Sequence, residues 1–384
     1  SVKDRASILP GGHTANAAYW MDDSLGAFMS SSFYMTSLPN WVADFNTENR
    51  SQFYMKQDWH PLYNLDTYGQ STADSNVYEG KFVSETASVF PHKTSGLKMS
   101  DIKKTPFGNT MVVEFAKRAI LHENLGQGKE CDFITMSFSS TDYVGHMYGP
   151  NSVEVEDTYL RLDLELADFL NFLDKEIGKG DYSLFLTADH GVAHNPQFLI
   201  DQKVPAGFFF GANLKKELNE QLNKTWKGPD LIQEIGENFI WLNDKRIDSL
   251  GLKRQLVVDE ILKSLKLHEE IQFAVDMRNI QQSVVPEPIR TMAVNGYVAN
   301  RSGDILLLLK PGWLDAYSKT GTTHGTWNPY DTHIPLLWYG WGIRQGRVYD
   351  QSSMTDIAAT LANLLHIQIP NACIGKCIPG VLKN

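Results

Sequence analysis

Seven apolar residues, Val155, Tyr159, Leu162, Leu166, Phe169, Leu173 and Ile177, recur every three or four positions. That spacing lays one apolar stripe along an α-helix. An apolar run at 132–138 precedes this segment and another at 182–187 follows it, with Gly178 and Gly180 as the break. Strand, helix, strand of these lengths is a βαβ unit, and such a crossover joins parallel neighbours. The chain is therefore expected to be α/β, with a mostly parallel sheet flanked by helices.

The other segments arrange themselves around that unit. Residues 1–105 are loop-rich and aromatic-rich, with short helices expected near 41–45 and 57–63. Residues 106–199 form the α/β core, opening on a helix over 106–125 whose Val112, Phe115, Ala116, Ala119 and Ile120 fall at helical spacing. A polar loop is expected over 139–150. Residues 200–310 read as an inserted α+β subdomain, with helices over 215–222 and 257–267 and strands over 239–242, 273–275, 294–298 and 305–309. Residues 311–384 return to the core through a strand at 334–339 and a helix at 355–365 that Thr355 caps.

Composition narrows the function classes. Lys and Arg number 35 against 45 Asp and Glu, a net charge of -10. An acidic chain lacks the basic face of a nucleic-acid binder. No apolar run approaches the ~20 residues of a membrane span, so neither nucleic acid nor membrane is an expected partner. The three cysteines, Cys131, Cys373 and Cys377, are too few for a disulfide framework. Cys373 and Cys377 read equally as a local disulfide or as two thiols, and Cys131 as core packing at a strand start.

Ligands of an open α/β sheet bind beyond the carboxyl ends of its strands. After the first expected strand comes Thr141-Asp142-Tyr143-Val144-Gly145-His146, and after the second Thr187-Ala188-Asp189-His190-Gly191. A third stretch, Gly321-Thr322-Thr323-His324-Gly325, lies far along the chain. Carboxylate and imidazole suit zinc, and small flanking residues let backbone approach an ion. Five ligand-type side chains on three loops suggest two ions sharing a site, which suits in-line displacement at phosphorus. His194, four after His190, reads as structural. Lys3 and Arg5, two apart, point the same way if that stretch is extended.

Taken in order, these motifs resemble the alkaline phosphatase superfamily, and within it the single-chain bacterial alkaline phosphatases with a Thr nucleophile, the phosphate-irrepressible type. The stretch from Ser1 to His13, the 328–335 segment, the Asp356-Ile357-Ala358 helix and the Gly375-Lys376 tail are similar too, so the resemblance covers nearly the whole chain. It implies an alkaline-phosphatase-like fold. It implies that Asp142, His146 and His324 hold a first zinc ion, that Asp189 and His190 hold part of a second, and that Lys3 and Arg5 contact phosphate oxygens. The implied substrates are small-molecule phosphate esters, with inorganic phosphate as product, in the periplasm or outside the cell.

The family pattern also has an earlier part, carrying a further zinc ligand, the nucleophile and a phosphate-contacting Asn, and this has no counterpart here. Thr323 and Ser140 lack its context. The resemblance therefore implies that the 384 residues are the later portion of a longer enzyme, completed by a separate or missing N-terminal segment. Two other readings stand beside the monoesterase: a phosphodiesterase or nucleotide pyrophosphatase of the same superfamily, and a non-catalytic metal-binding fragment. The Lys3/Arg5 pair favours monoesters, because two extra cations suit a dianionic group. The arylsulfatase Cys motif is absent.

Overall fold

The computed structural model describes residues 1–383. The chain divides into two units. The larger comprises Ser1–Met111, Ser137–Leu162 and His190–His333, and the smaller Val112–Met136, Asp163–Asp189 and Ile334 to the end of the described residues. No helix among the described residues is long and apolar enough to cross a membrane.

The larger unit is built on a four-stranded antiparallel sheet in the order Ile232–Gly236, Phe239–Leu242, Ile305–Leu309, Ile271–Asp276. The run Ile305–Leu309 is apolar at every position because both faces of this strand are covered. Ile305 and Leu307 join one core cluster, Leu306 and Leu308 another. The helix Gly211–Trp226 puts Leu214, Leu218 and Leu222 into the first cluster. Arg254–Leu265 adds Val257, Val258 and Ile261. Each such buried leucine or isoleucine contributes about 2 kcal/mol. Met277, Ile280 and Ala293 build the second cluster on the opposite face.

Within the smaller unit, Ser183–Thr187 pairs antiparallel with Leu336–Gly340. The helix Asp356–Leu364 follows, and Leu364 packs with Ile343, Ile378 and Val381.

The α/β class holds, but the pairing is mixed: Gly207–Phe209 with Trp313–Asp315 is parallel, and the other pairs are antiparallel. Several expectations are corrected. Residues 132–138 form no strand, and Phe133 stays 63% exposed. Cys131 is exposed rather than packed in a core, and all three cysteines are free thiols. The 139–150 segment is a helix, Ser139–Tyr148, not a loop. The expected strand at 294–298 is covered largely by the helix Ile289–Gly296, which Pro288 opens, a position where its missing N–H costs nothing. Residues 57–63 are not helical, and Trp59 instead bridges to His92. Thr355 gives no side-chain cap, and Asp356 accepts the Ser353 amide instead. Lys3 and Arg5 do not share an extended strand, because the helix Asp4–Gly11 starts between them.

Candidate metal centre

The helix Ser139–Tyr148 positions the first two ligand candidates. Ser140, Val144 and Tyr148 form its buried face, so Asp142 and His146, one turn apart, share a different face. That i, i+4, i+8 burial pattern was present in the sequence, hidden by the short polar start Ser139-Ser140-Thr141.

His324 arrives on an irregular segment whose backbone is fixed by hydrogen bonds. The Gly321 amide donates to the Tyr78 carbonyl at 2.6 Å and the Thr322 amide to the His146 carbonyl at 3.0 Å. Asn195 donates from its side chain to the Gly321 carbonyl at 2.7 Å and the Lys319 carbonyl at 3.1 Å. The 190–193 stretch is tied alongside: Gly191 donates to the Asp331 carbonyl at 2.6 Å and Val192 to the Tyr330 carbonyl at 3.1 Å. The Thr322 hydroxyl donates to the Ala193 carbonyl at 2.7 Å.

These elements bring three imidazoles to one carboxylate oxygen. Oδ1 of Asp142 lies 3.2 Å from Nε2 of His146, 3.8 Å from Nε2 of His324 and 3.9 Å from Nε2 of His190. The His190 and His324 rings stack, with centroids 3.4 Å apart. His146 turns Nδ1 to the Thr322 carbonyl at 3.0 Å and His190 turns its own to the Gly191 carbonyl at 2.7 Å. A carbonyl can only accept, so each Nδ1 carries a proton and Nε2 is the nitrogen turned towards Asp142.

The other oxygen of Asp142 takes Nζ of Lys3 at 3.2 Å, a contact only 14% exposed on the lysine side. Burial alone would raise the Asp142 carboxyl; His146 and Lys3 outweigh it and hold the group well below the usual range. His146 is raised by its hydrogen bond to Asp142, and His324 is lowered by burial and by the neighbouring His190. Lys3 also sits over the Tyr143 ring, 5.5 Å from its centroid. Arg5 is exposed, near enough for its charge to act on Tyr143.

Asp142, His146 and His324 have ligand atoms within 4.8 Å of one another and could hold one metal ion. One carboxylate oxygen with two imidazole nitrogens, the His146 ring oriented by a backbone carbonyl, is a donor set that fits a borderline ion such as zinc. Asp189 lies two residues past Ser183–Thr187 in the smaller unit and is exposed. His194 is turned to Asn151, Nδ1 to Oδ1 at 2.7 Å, and stacks on Phe198. The sequence offers no ligand-type pattern that singles out Thr322, Asn195, Tyr143 or Tyr78, which act by hydrogen bonds to or from backbone or by a ring.

The sequence profile described as Type I phosphodiesterase / nucleotide pyrophosphatase matches residues 2–332. Three curated relatives align over the whole chain. A protein of Myroides odoratus named "Calcium-transporting ATPase" is 46% identical, and this chain spans 71% of it. "Alkaline phosphatase PafA" of Elizabethkingia meningoseptica is 43% identical, with 70% of it spanned. "Alkaline phosphatase PhoV" of Synechococcus elongatus is 45% identical, also with 70% spanned. The crystal structure of wild-type PafA superposes with a TM-score of 0.96, covering 100% of this chain and 74% of that one. The chain belongs to the phosphodiesterase/nucleotide pyrophosphatase family, within the alkaline phosphatase superfamily.

Proposed function

We propose that this member of the family hydrolyses phosphate monoesters as a zinc-dependent alkaline phosphatase. The observation that carries the reading is Asp142, with three imidazole Nε2 atoms facing one oxygen and the Lys3 ammonium on the other. Asp142, His146 and His324 would hold one zinc ion, and Asp189 and His190 part of a second. Bound there, the ions would supply positive charge that polarises the phosphoryl group and its attacking oxygen.

The chain's own residues would do the rest. Nδ1 of His146 and of His190, tied to carbonyls, keep the opposite nitrogens oriented. Lys3, held over Tyr143, and Arg5 would bind non-bridging oxygens, where charge gathers in the transition state. Two added cations favour a dianionic monoester over a monoanionic diester. The names carried by the relatives, alkaline phosphatase and ATPase, share transfer of a phosphoryl group to water. The attacking hydroxyl is proposed to come from residues outside these 384, since the relatives are longer, and the site of action to be periplasmic or extracellular.

The test is a parallel assay of the full gene product and the 384-residue chain, with zinc content measured in both. The expected result is a strong preference of the full product for an aryl phosphate monoester over the matched diester, and zinc binding without turnover by the chain alone. Diester preference would overturn the monoesterase reading. Full turnover by the chain alone would overturn the placement of the nucleophile.

A further inference from the structure

The helix Ser139–Tyr148 carries Asp142 and His146, and it also reaches Lys3 at three points. Ser139 Oγ lies 3.0 Å from the Ser1 hydroxyl, which accepts the Lys3 amide at 3.1 Å. Asp142 Oδ2 accepts from Nζ of Lys3 at 3.2 Å. The third point is Tyr143, whose ring centroid is 5.5 Å from the same Nζ.

The ammonium is thus held by two attractions of different kinds. Asp142 is a full charge and an acceptor, and alone it would draw Nζ onto itself. An aromatic ring attracts a cation through its quadrupole, within about 6 Å of the centroid, and spends no lone pair on it. A lysine has three N–H donors. Asp142 is the one acceptor that Nζ meets among the described residues, so donors are left for a ligand.

Tyr143 contributes its ring rather than its hydroxyl, which makes no hydrogen bond among the described residues. A second ammonium holds the same ring. Lys103, at the end of the 3-10 helix Met99–Lys104, has its Nζ 5.7 Å from the centroid. Lys103 is only 8% exposed, and a lysine is rarely so buried unless paired. Its ion-pair partner Asp23 is largely exposed, and such a pair alone is weak. The Tyr143 face is the other partner that accounts for the burial.

We propose that Tyr143 is a positioning residue: its ring holds the Lys3 ammonium where it can meet a non-bridging oxygen of a dianionic phosphoryl group, against the pull of Asp142. This rests on the monoesterase reading above and names what sets its selectivity. The ring touches no substrate in this role. It acts through Lys3, so its effect falls on substrates that need the extra cation and spares those that do not.

The experiment uses the zinc-loaded full-length protein, with phenylalanine and its mono-, di- and trifluorinated forms placed at position 143. These keep the ring's shape while fluorine weakens its negative face step by step. An aryl phosphate monoester, the matched diester and inorganic phosphate as inhibitor are the probes, with zinc content measured throughout. Tyr143→Phe is expected to match wild type. From phenylalanine to its trifluorinated form, kcat/KM for the monoester should fall about tenfold and phosphate inhibition should weaken in step. Diester kcat/KM and zinc content should stay level. In a Lys3→Ala background the series should go flat.

A flat monoester series in the presence of Lys3 overturns the inference, as does an equal fall on monoester and diester. A slope that survives Lys3→Ala overturns it too, because the ring would then act through another group. A wild-type enzyme that prefers the diester would sink the monoesterase reading itself. A flat series in an enzyme that prefers monoesters sinks only the role of Tyr143.

Discussion

Nδ1 of His146 lies 3.0 Å from the carbonyl oxygen of Thr322, 176 residues away in sequence. That contact fixes which imidazole nitrogen faces Asp142, and the Thr322 amide in turn donates to the His146 carbonyl at 3.0 Å. The two residues lock each other, one by side chain and one by backbone.

Gly321 makes the lock possible. Its φ is +71°, and an added Cβ would overlap the His146 carbonyl oxygen. Gly321→Ala is therefore expected to displace Thr322, free the His146 ring and weaken zinc binding at least tenfold, in the range seen when a partner behind a metal ligand is lost. Competition with a chromophoric chelator measures it. Zinc affinity equal to wild type would contradict the lock.

Asp142 presents both its oxygens to positive or metal-ready groups, so its charge is the centre's hub. Asp142→Asn keeps the shape and removes the charge. Metal analysis after dialysis is expected to show loss of zinc from the Asp142–His146–His324 set, with phosphatase activity falling by roughly 10²-fold or more.

Lys3 can discriminate between substrates. If its ammonium binds a non-bridging oxygen, Lys3→Ala should cost about 10²-fold in kcat/KM for a monoester, as loss of one preorganised donor does. The loss on a diester should be smaller, because that substrate carries one charge fewer. Equal losses on both substrates would show that Lys3 acts only by holding Asp142.

Stability is expected to depend on Asp157, which is fully buried. It accepts from the Trp59 indole at 2.7 Å, the Leu62 amide and the Tyr68 hydroxyl at 2.6 Å, and Arg161 at 2.7 Å. Asp157→Asn puts an N–H where donors already point and should cost about 3 kcal/mol, read from urea unfolding midpoints.

The same network sets an alkaline limit. Burial and the Asp157 bond push the Tyr68 phenol up to about 12 from 10. Between those values the unfolded chain releases a proton that the folded one keeps, so stability present below pH 10 is lost as pH rises towards 12. Tyr68→Phe should remove that part of the loss, seen as a flatter unfolding midpoint over pH 9–11.

Much of the fold was legible as periodicity. The stripe from Val155 to Ile177 gave the helix Val153–Leu173, extended by a π turn over Asp174–Gly178. The run Ile305–Leu309 was recognisable as a strand, though only the sheet reveals why no position is polar: both faces are covered. The strand expected at 132–138 failed because apolar composition is not pairing, and a strand needs a neighbour to take its hydrogen bonds.

The sequence by itself determined the chemistry on offer: an acidic chain with Asp and His in three short stretches and the order that resembles a phosphatase superfamily. Those are local facts, carried by residue type and spacing. Only the tertiary structure decided that three imidazoles meet on Asp142 Oδ1 and that Lys3 takes the other oxygen. Each of these joins segments tens to hundreds of residues apart. Their geometry is set by backbone hydrogen bonds and packing, whose long-range pairing is not written in spacing along one chain.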